Sequence, residues 1–176
     1  ASFRKYHGLG DYEELYREAA EAAEQVIEEG GYAIYKTDNP TLDYYNLFVQ
    51  QDLSSNSECI MRRVYNTNVL MHNNTRQMEE SYTGLSRAML EQYLCADGLP
   101  TAVSPEYEEA DMPMDELMQR DPRLRQTIDN PELPFKVLSD GTRQFNALPV
   151  IDTKYCTTGY YVMKYHSTDP EQWNIG

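Results

Sequence analysis

Apolar residues recur across 11–29 at Tyr12, Leu15, Tyr16, Ala19, Ala22, Ala23, Val26 and Ile27. That spacing of three and four lines one face of an α-helix. Asp11, with Glu14 three positions on, reads as a capping box, and Gly30-Gly31 ends the run because glycine takes the left-handed stop conformation without a Cβ clash. The small steps at Ala19, Ala20, Ala22 and Ala23 predict close approach of another helix. Tyr12 and Tyr16 are therefore expected in a core, and Ala23→Asp is expected to bury an unpaired carboxylate and break the packing.

A short extended piece follows at 32–35. Residues 41–49 predict a second helix with Leu42, Tyr45, Phe48 and Val49 inward, Pro40 preceding it where a missing N–H costs nothing. Helical spacing returns at 85–94 through Leu85, Met89, Leu90, Tyr93 and Leu94, until Asp97-Gly98 and Pro100 stop it. A brief helix is expected at 114–119, inside an acidic run. Segments 58–65, 123–128 and 158–165 read as strands. Between them, 66–82 is rich in Asn and Thr and predicts a long loop, and 130–149 is rich in turn residues. The expectation is a mainly α chain with long irregular loops and a few short strands.

The chain has 176 residues, one domain's worth, and a domain of that size removes about 70% of its extended surface from water. No apolar run approaches the roughly 20 residues of a membrane helix. The sequence starts at Ala1 with no leader-like apolar stretch and no lipid-acceptor cysteine nearby, as expected of a mature product or of a piece of something longer. Fifteen Lys and Arg against 29 Asp and Glu leave a net charge of −14. Such a surface repels phosphate backbones, which excludes nucleic acid as a partner. Cys59, Cys95 and Cys156 form no CxxC pair, and an odd number cannot close completely within one chain, so buried free thiols are expected.

His7, His72 and His166 are widely spaced with no HExxH or Cys/His ladder, and surface or capping roles are expected of them. The cluster Glu106, Glu108, Glu109, Asp111, Asp115 and Glu116 lacks the spacing of a calcium loop and reads as a solvated acidic face. No P-loop, GxSxG or dinucleotide fingerprint is present. No cofactor or metal is expected. The informative class is aromatic, with 15 Tyr, four Phe and one Trp. Tyrosine offers an apolar face with a hydroxyl at its edge, which suits a polar ligand with C–H surfaces such as a sugar ring. Tyr45 and Tyr93 lie on helix stripes and read as core. Tyr65, Tyr82 and Tyr107 lie at loop edges, and Trp173 reads as a packing anchor.

Several motifs stand in order along the chain. Phe3-Arg4-Lys5-Tyr6-His7 precedes Tyr12-Glu13-Glu14-Leu15 and the Ala-rich helix, and Tyr45-Asn46-Leu47-Phe48 precedes Asn56-Ser57-Glu58-Cys59-Ile60. Cys95-Ala96-Asp97-Gly98-Leu99-Pro100, Arg120-Asp121-Pro122-Arg123-Leu124 and Thr158-Gly159-Tyr160-Tyr161-Val162-Met163-Lys164-Tyr165 complete the series. Together they resemble the SusD/RagB family of outer-membrane nutrient-uptake proteins. The resemblance implies tetratricopeptide-like helices with large irregular insertions, and residues 1–176 would be a single central segment without the family's signal peptide, early helices and last helices. It implies a non-catalytic, outward-facing outer-membrane lipoprotein, lipid-anchored only in the full-length protein. Its partners would be an oligosaccharide and a TonB-dependent SusC-like transporter.

The family's glycan contacts vary in position, so the expected ligand residues are chosen by loop position and chemistry: Tyr65, Asn66, His72, Asn73, Arg76 and Tyr107. Tyrosine faces would receive sugar rings while Asn, Arg and His bond the hydroxyls. The alternatives are a helical scaffold that docks another protein through its Ala-rich stripe, and a glycoside hydrolase using two of the many carboxylates.

Overall fold

The computed structural model describes residues 1–66, 69–72, 84–109, 114–148, 151 and 156–169. Helices and loops dominate them, with few and short strands. Asn73, Arg76, Tyr82, Asp111 and Trp173 lie outside the described residues. The chain divides into two compact units, one of 1–35 with 52–62 and one of 36–51 with 63–176.

The first unit holds α1 (Ser2–Tyr6) and α2 (Tyr12–Glu29). Helix α2 forms where the apolar periodicity predicts it, and Ala and Glu, which lose little entropy in a helix, supply most of its length. Its start differs from the expected capping box. Asp11 is left-handed at φ +67° and makes no side-chain capping bond; its carboxylate pairs instead with Arg4 at 3.2 Å. The stop is as expected, with Gly31 at φ +68°.

The two helices touch through polar and edge contacts. Ser2 Oγ lies 2.9 Å from the Tyr16 hydroxyl, and Arg4 Nε donates to the Gly10 carbonyl at 2.8 Å. No residue of α1 or α2 is buried. Tyr12 is half-buried and Tyr16 exposed, so the expected core role of this stripe is not met. In segment 32–35 the Ala33 N–H donates to the Ser57 carbonyl at 3.1 Å, but neither that segment nor 58–65 forms a strand. The Glu58 carboxylate turns back to accept from the Tyr35 N–H at 2.9 Å, leaving that edge without a backbone ladder.

The second unit carries the apolar core in two clusters. Tyr45, Leu133, Cys156, Tyr161 and Met163 form one, with Leu42, Val49 and Phe135 packed against it. Leu90, Leu117, Leu124 and Ile128 form the other, with Leu85, Tyr93, Met114 and Tyr160 alongside. Helix α3 (Asp43–Phe48) buries Tyr45, whose hydroxyl donates to the His166 carbonyl at 2.8 Å. Phe48 is only half-buried, on the flank rather than the inner face.

The expected helix at 85–94 shrinks to one turn, α4 (Arg87–Leu90), capped by the Ser86 hydroxyl. It buries Leu90 and leaves Met89 and Leu94 exposed. Asp115–Leu117 is a single 3-10 turn. Segment 123–128 is not a strand. Pro122 stands at the first position of α5 (Pro122–Arg125), and Asp121, held extended by the following proline, caps it by accepting the Arg123 N–H at 2.9 Å.

The one regular ladder among the described residues lies in the turn-rich segment, where β1 (Lys136–Val137) pairs antiparallel with β2 (Arg143–Gln144). Gly141 at φ +83° and the Asp140 carboxylate, which accepts from the Thr142 N–H at 2.8 Å, shape the connecting turn. Of the strand expected at 158–165, only the isolated bridges Gly84–Tyr161 and Ile128–Val162 form. The three thiols are free, two of them buried and Cys59 half-buried.

Candidate functional site

Three of the expected ligand residues stand together. The backbone of Asn66 closes a tight turn, exchanging bonds with Leu70 at 3.0 and 3.1 Å. The turn brings the Tyr65 ring edge-on to His72, centroids 4.5 Å apart, with the Arg63 guanidinium 5.8 Å from the Tyr65 centroid. Tyr65 is exposed and His72 half-buried. Asn73 and Arg76 fall outside the described residues.

Tyr107 belongs to a different constellation, centred on Arg87. The Arg87 guanidinium donates to Glu91 at 2.8 Å, to the Tyr107 hydroxyl at 2.9 Å and to Glu116. The Tyr160 hydroxyl donates to the other Glu116 oxygen at 2.6 Å. Bonds to Glu91 and then Glu116 hold the Arg87 proton more tightly than usual. Burial, and then the Glu116 bond, raise the Tyr160 hydroxyl above its ordinary range. Glu116 is buried, not part of a solvated acidic face as expected, because its two oxygens both find donors. Beside it, Pro105 to Glu109, Asp115, Glu116, Met118 and Gln119 line a cleft of about 600 Å³. The Tyr107 hydroxyl is thus engaged in holding the cleft wall, and Arg120 lies against its ring at 5.5 Å.

A third place was not expected from the residues. Tyr44 and Phe48, one turn apart on α3, meet edge-on at 5.1 Å, and Tyr165 meets Phe48 edge-on at 5.1 Å. The Lys164 ammonium lies among the three rings, 3.9 Å from the Phe48 centroid, 5.3 Å from Tyr44 and 5.7 Å from Tyr165. It also donates to the Tyr44 hydroxyl at 3.2 Å. Tyr165 is exposed and left-handed at φ +70°, a conformation that costs a non-glycine residue about 1–3 kcal/mol and persists where the surroundings impose it. They do so here, since Met163 and His166 on either side are buried and the His166 N–H donates to the Met163 carbonyl at 2.9 Å. The turn throws the Tyr165 ring outward. In sequence the only signal was the i, i+4 aromatic pair Tyr44/Phe48, which a helical stripe reads as partly core.

His166 is not at the surface as expected. It is buried, its Nε2 3.0 Å from the Phe135 carbonyl and its Nδ1 3.3 Å from the Tyr161 hydroxyl. Burial lowers its pKa, the Phe135 bond opposing. Asp129 is also buried, and burial pushes its carboxyl up to about 6 against the pull of the Asn146 amide, which donates to Oδ2 at 2.6 Å.

No protein-family model matches the sequence, and comparison with curated proteins and with solved structures finds no match. Among the described residues, no helix is long and apolar enough to cross a membrane.

Proposed function

We propose that this chain captures oligosaccharides passively, without making or breaking bonds. The observation that supports the reading best is the group of three rings around Lys164, with Tyr165 held outward by a strained turn. Aromatic faces match the C–H faces of pyranose rings, and the Tyr44 hydroxyl and the Lys164 ammonium supply polar contacts at their edge. Tyr65 with His72 and Arg63 would form a second contact. Affinity would be modest, because each hydrogen bond to a sugar hydroxyl replaces one made to water.

The ordered motifs from Phe3 to Tyr165 supply the context for this proposal. The chain would act as a SusD-like outer-membrane lipoprotein, handing glycan to a TonB-dependent SusC-like transporter, with α1 and α2 as one pair of tetratricopeptide-like helices. Calorimetric titration with a broad set of oligosaccharides tests the capture reading; heat of binding supports it, and silence across the set counts against it.

One observation favours a second reading, a helical scaffold for another protein. Helix α2 keeps Leu15, Tyr16, Val26 and Ile27 exposed along its apolar face. Light scattering with and without candidate partners separates the two readings.

A further inference from the structure

We propose that the sugar received at the Tyr44–Phe48–Tyr165 group is anionic, a uronic acid or a sulfated sugar, with Lys164 as the residue that reads its charge. This inference rests on the capture reading and narrows its ligand. The chain carries 29 acidic residues against 15 basic ones, and several of its arginines are taken up by carboxylates. Arg4, Arg17, Arg87, Arg123 and Arg125 each pair with one. Among the described residues no carboxylate pairs with Lys164; its polar partner there is the neutral Tyr44 hydroxyl.

The nearby Arg123 is held by Asp121, whose carboxylate takes both its Nε and Nη2 donors, so that pair is internally neutral. At this group of rings Lys164 can therefore meet an incoming anion. An ammonium carries three donors, and one of them goes to Tyr44. The ring faces stabilise the charge from one side without accepting its remaining hydrogens as strong bonds.

A uronate or sulfate group lies at the edge of a sugar ring and leaves the C–H faces free to stack. One ligand can therefore use the rings and the ammonium together. A charge-assisted hydrogen bond of this kind contributes more than a neutral one.

The test compares tetragalacturonate, tetramannuronate and a hyaluronan tetrasaccharide with their methyl esters, which keep the skeleton and remove the charge, together with a sulfated galactan tetrasaccharide and its desulfated form. Each is titrated into the wild-type chain, Lys164→Met and Lys164→Arg. The expected result is binding of at least one acid, with its neutral form about tenfold weaker. Lys164→Met should bring the two forms level, and Lys164→Arg should restore the preference. Binding confined to the uronates or to the sulfated glycan assigns the source of the charge. Equal binding of acid and neutral form, or a preference that survives Lys164→Met, overturns the inference and leaves the capture reading standing. Silence with every charged and neutral glycan overturns both.

Discussion

The Lys164 ammonium stands 3.9 Å from the centroid of the Phe48 ring, although the two residues are far apart in the chain. Helix α3 is anchored by Tyr45 in the core, and the Met163–His166 turn is anchored by its two buried ends. Two rigid supports therefore hold one surface group of rings.

Tyr165→Gly separates the ring from its backbone. Glycine occupies φ +70° without strain, so the melting temperature is expected to stay level or rise slightly. Loss of a stacking contact of about 1 kcal/mol should weaken glycan binding about fivefold. Paired melting and titration check this, and a variant that loses stability without losing binding would contradict it.

Glu116→Ala removes the acceptor of two groups at once, leaving Arg87 short of a partner and the Tyr160 hydroxyl without an acceptor for its proton near the core. A cost of about 1–3 kcal/mol is expected in denaturant unfolding. Glu116→Gln, which keeps one acceptor oxygen, should cost less. The Arg87 side chain is 42% exposed, so water softens the loss on its side.

Asp129 and His166 give stability a pH dependence of opposite signs. Asp129 keeps its proton in the fold up to about pH 6, whereas an unfolded aspartate ionises near 4. The native state then binds the extra proton across that window, and the Asp129 contribution falls as pH rises through it. His166, held neutral by burial, costs stability as pH falls below the unfolded imidazole value of about 6.5. Asp129→Asn removes the first effect and keeps the second. The variant is expected to melt above wild type at about pH 7.5 and to lose that advantage progressively down to about pH 4. A pH-independent difference in melting temperature would contradict the assignment.

Ala23→Asp is expected to cost only its helix propensity, about 0.7 kcal/mol, because α2 buries no residue. Far-ultraviolet dichroism and thermal melting check this. A loss of several kcal/mol would show that the stripe is covered.

Periodicity made α2 and α3 legible because both are written by local spacing, and Tyr45 followed as the inward residue of α3. It could not say whether a stripe meets a partner, and α2 shows that an apolar face and a buried face are different things. The strand reading of 123–128 failed because Pro122 with the Asp121 cap starts a helical turn, a local signal stronger than the apolar alternation that follows. The burial of Glu116 and His166 depends on donors more than 25 residues away for the first and on a carbonyl 31 residues away for the second, which spacing does not encode. Tyr65 and His72 were legible as residues of one polar loop region, but not the edge-on contact of their rings. The rings around Lys164 were not, since α3 and the 163–166 turn meet only in three dimensions.

Titration of the chain with the full set of neutral and acidic oligosaccharides, followed by chromatography of the recovered glycan, tests passive capture most directly. The account predicts heat of binding that Tyr165→Gly diminishes, with every glycan recovered at its original length. Shortened glycan, or no heat from any member of the set, would contradict it.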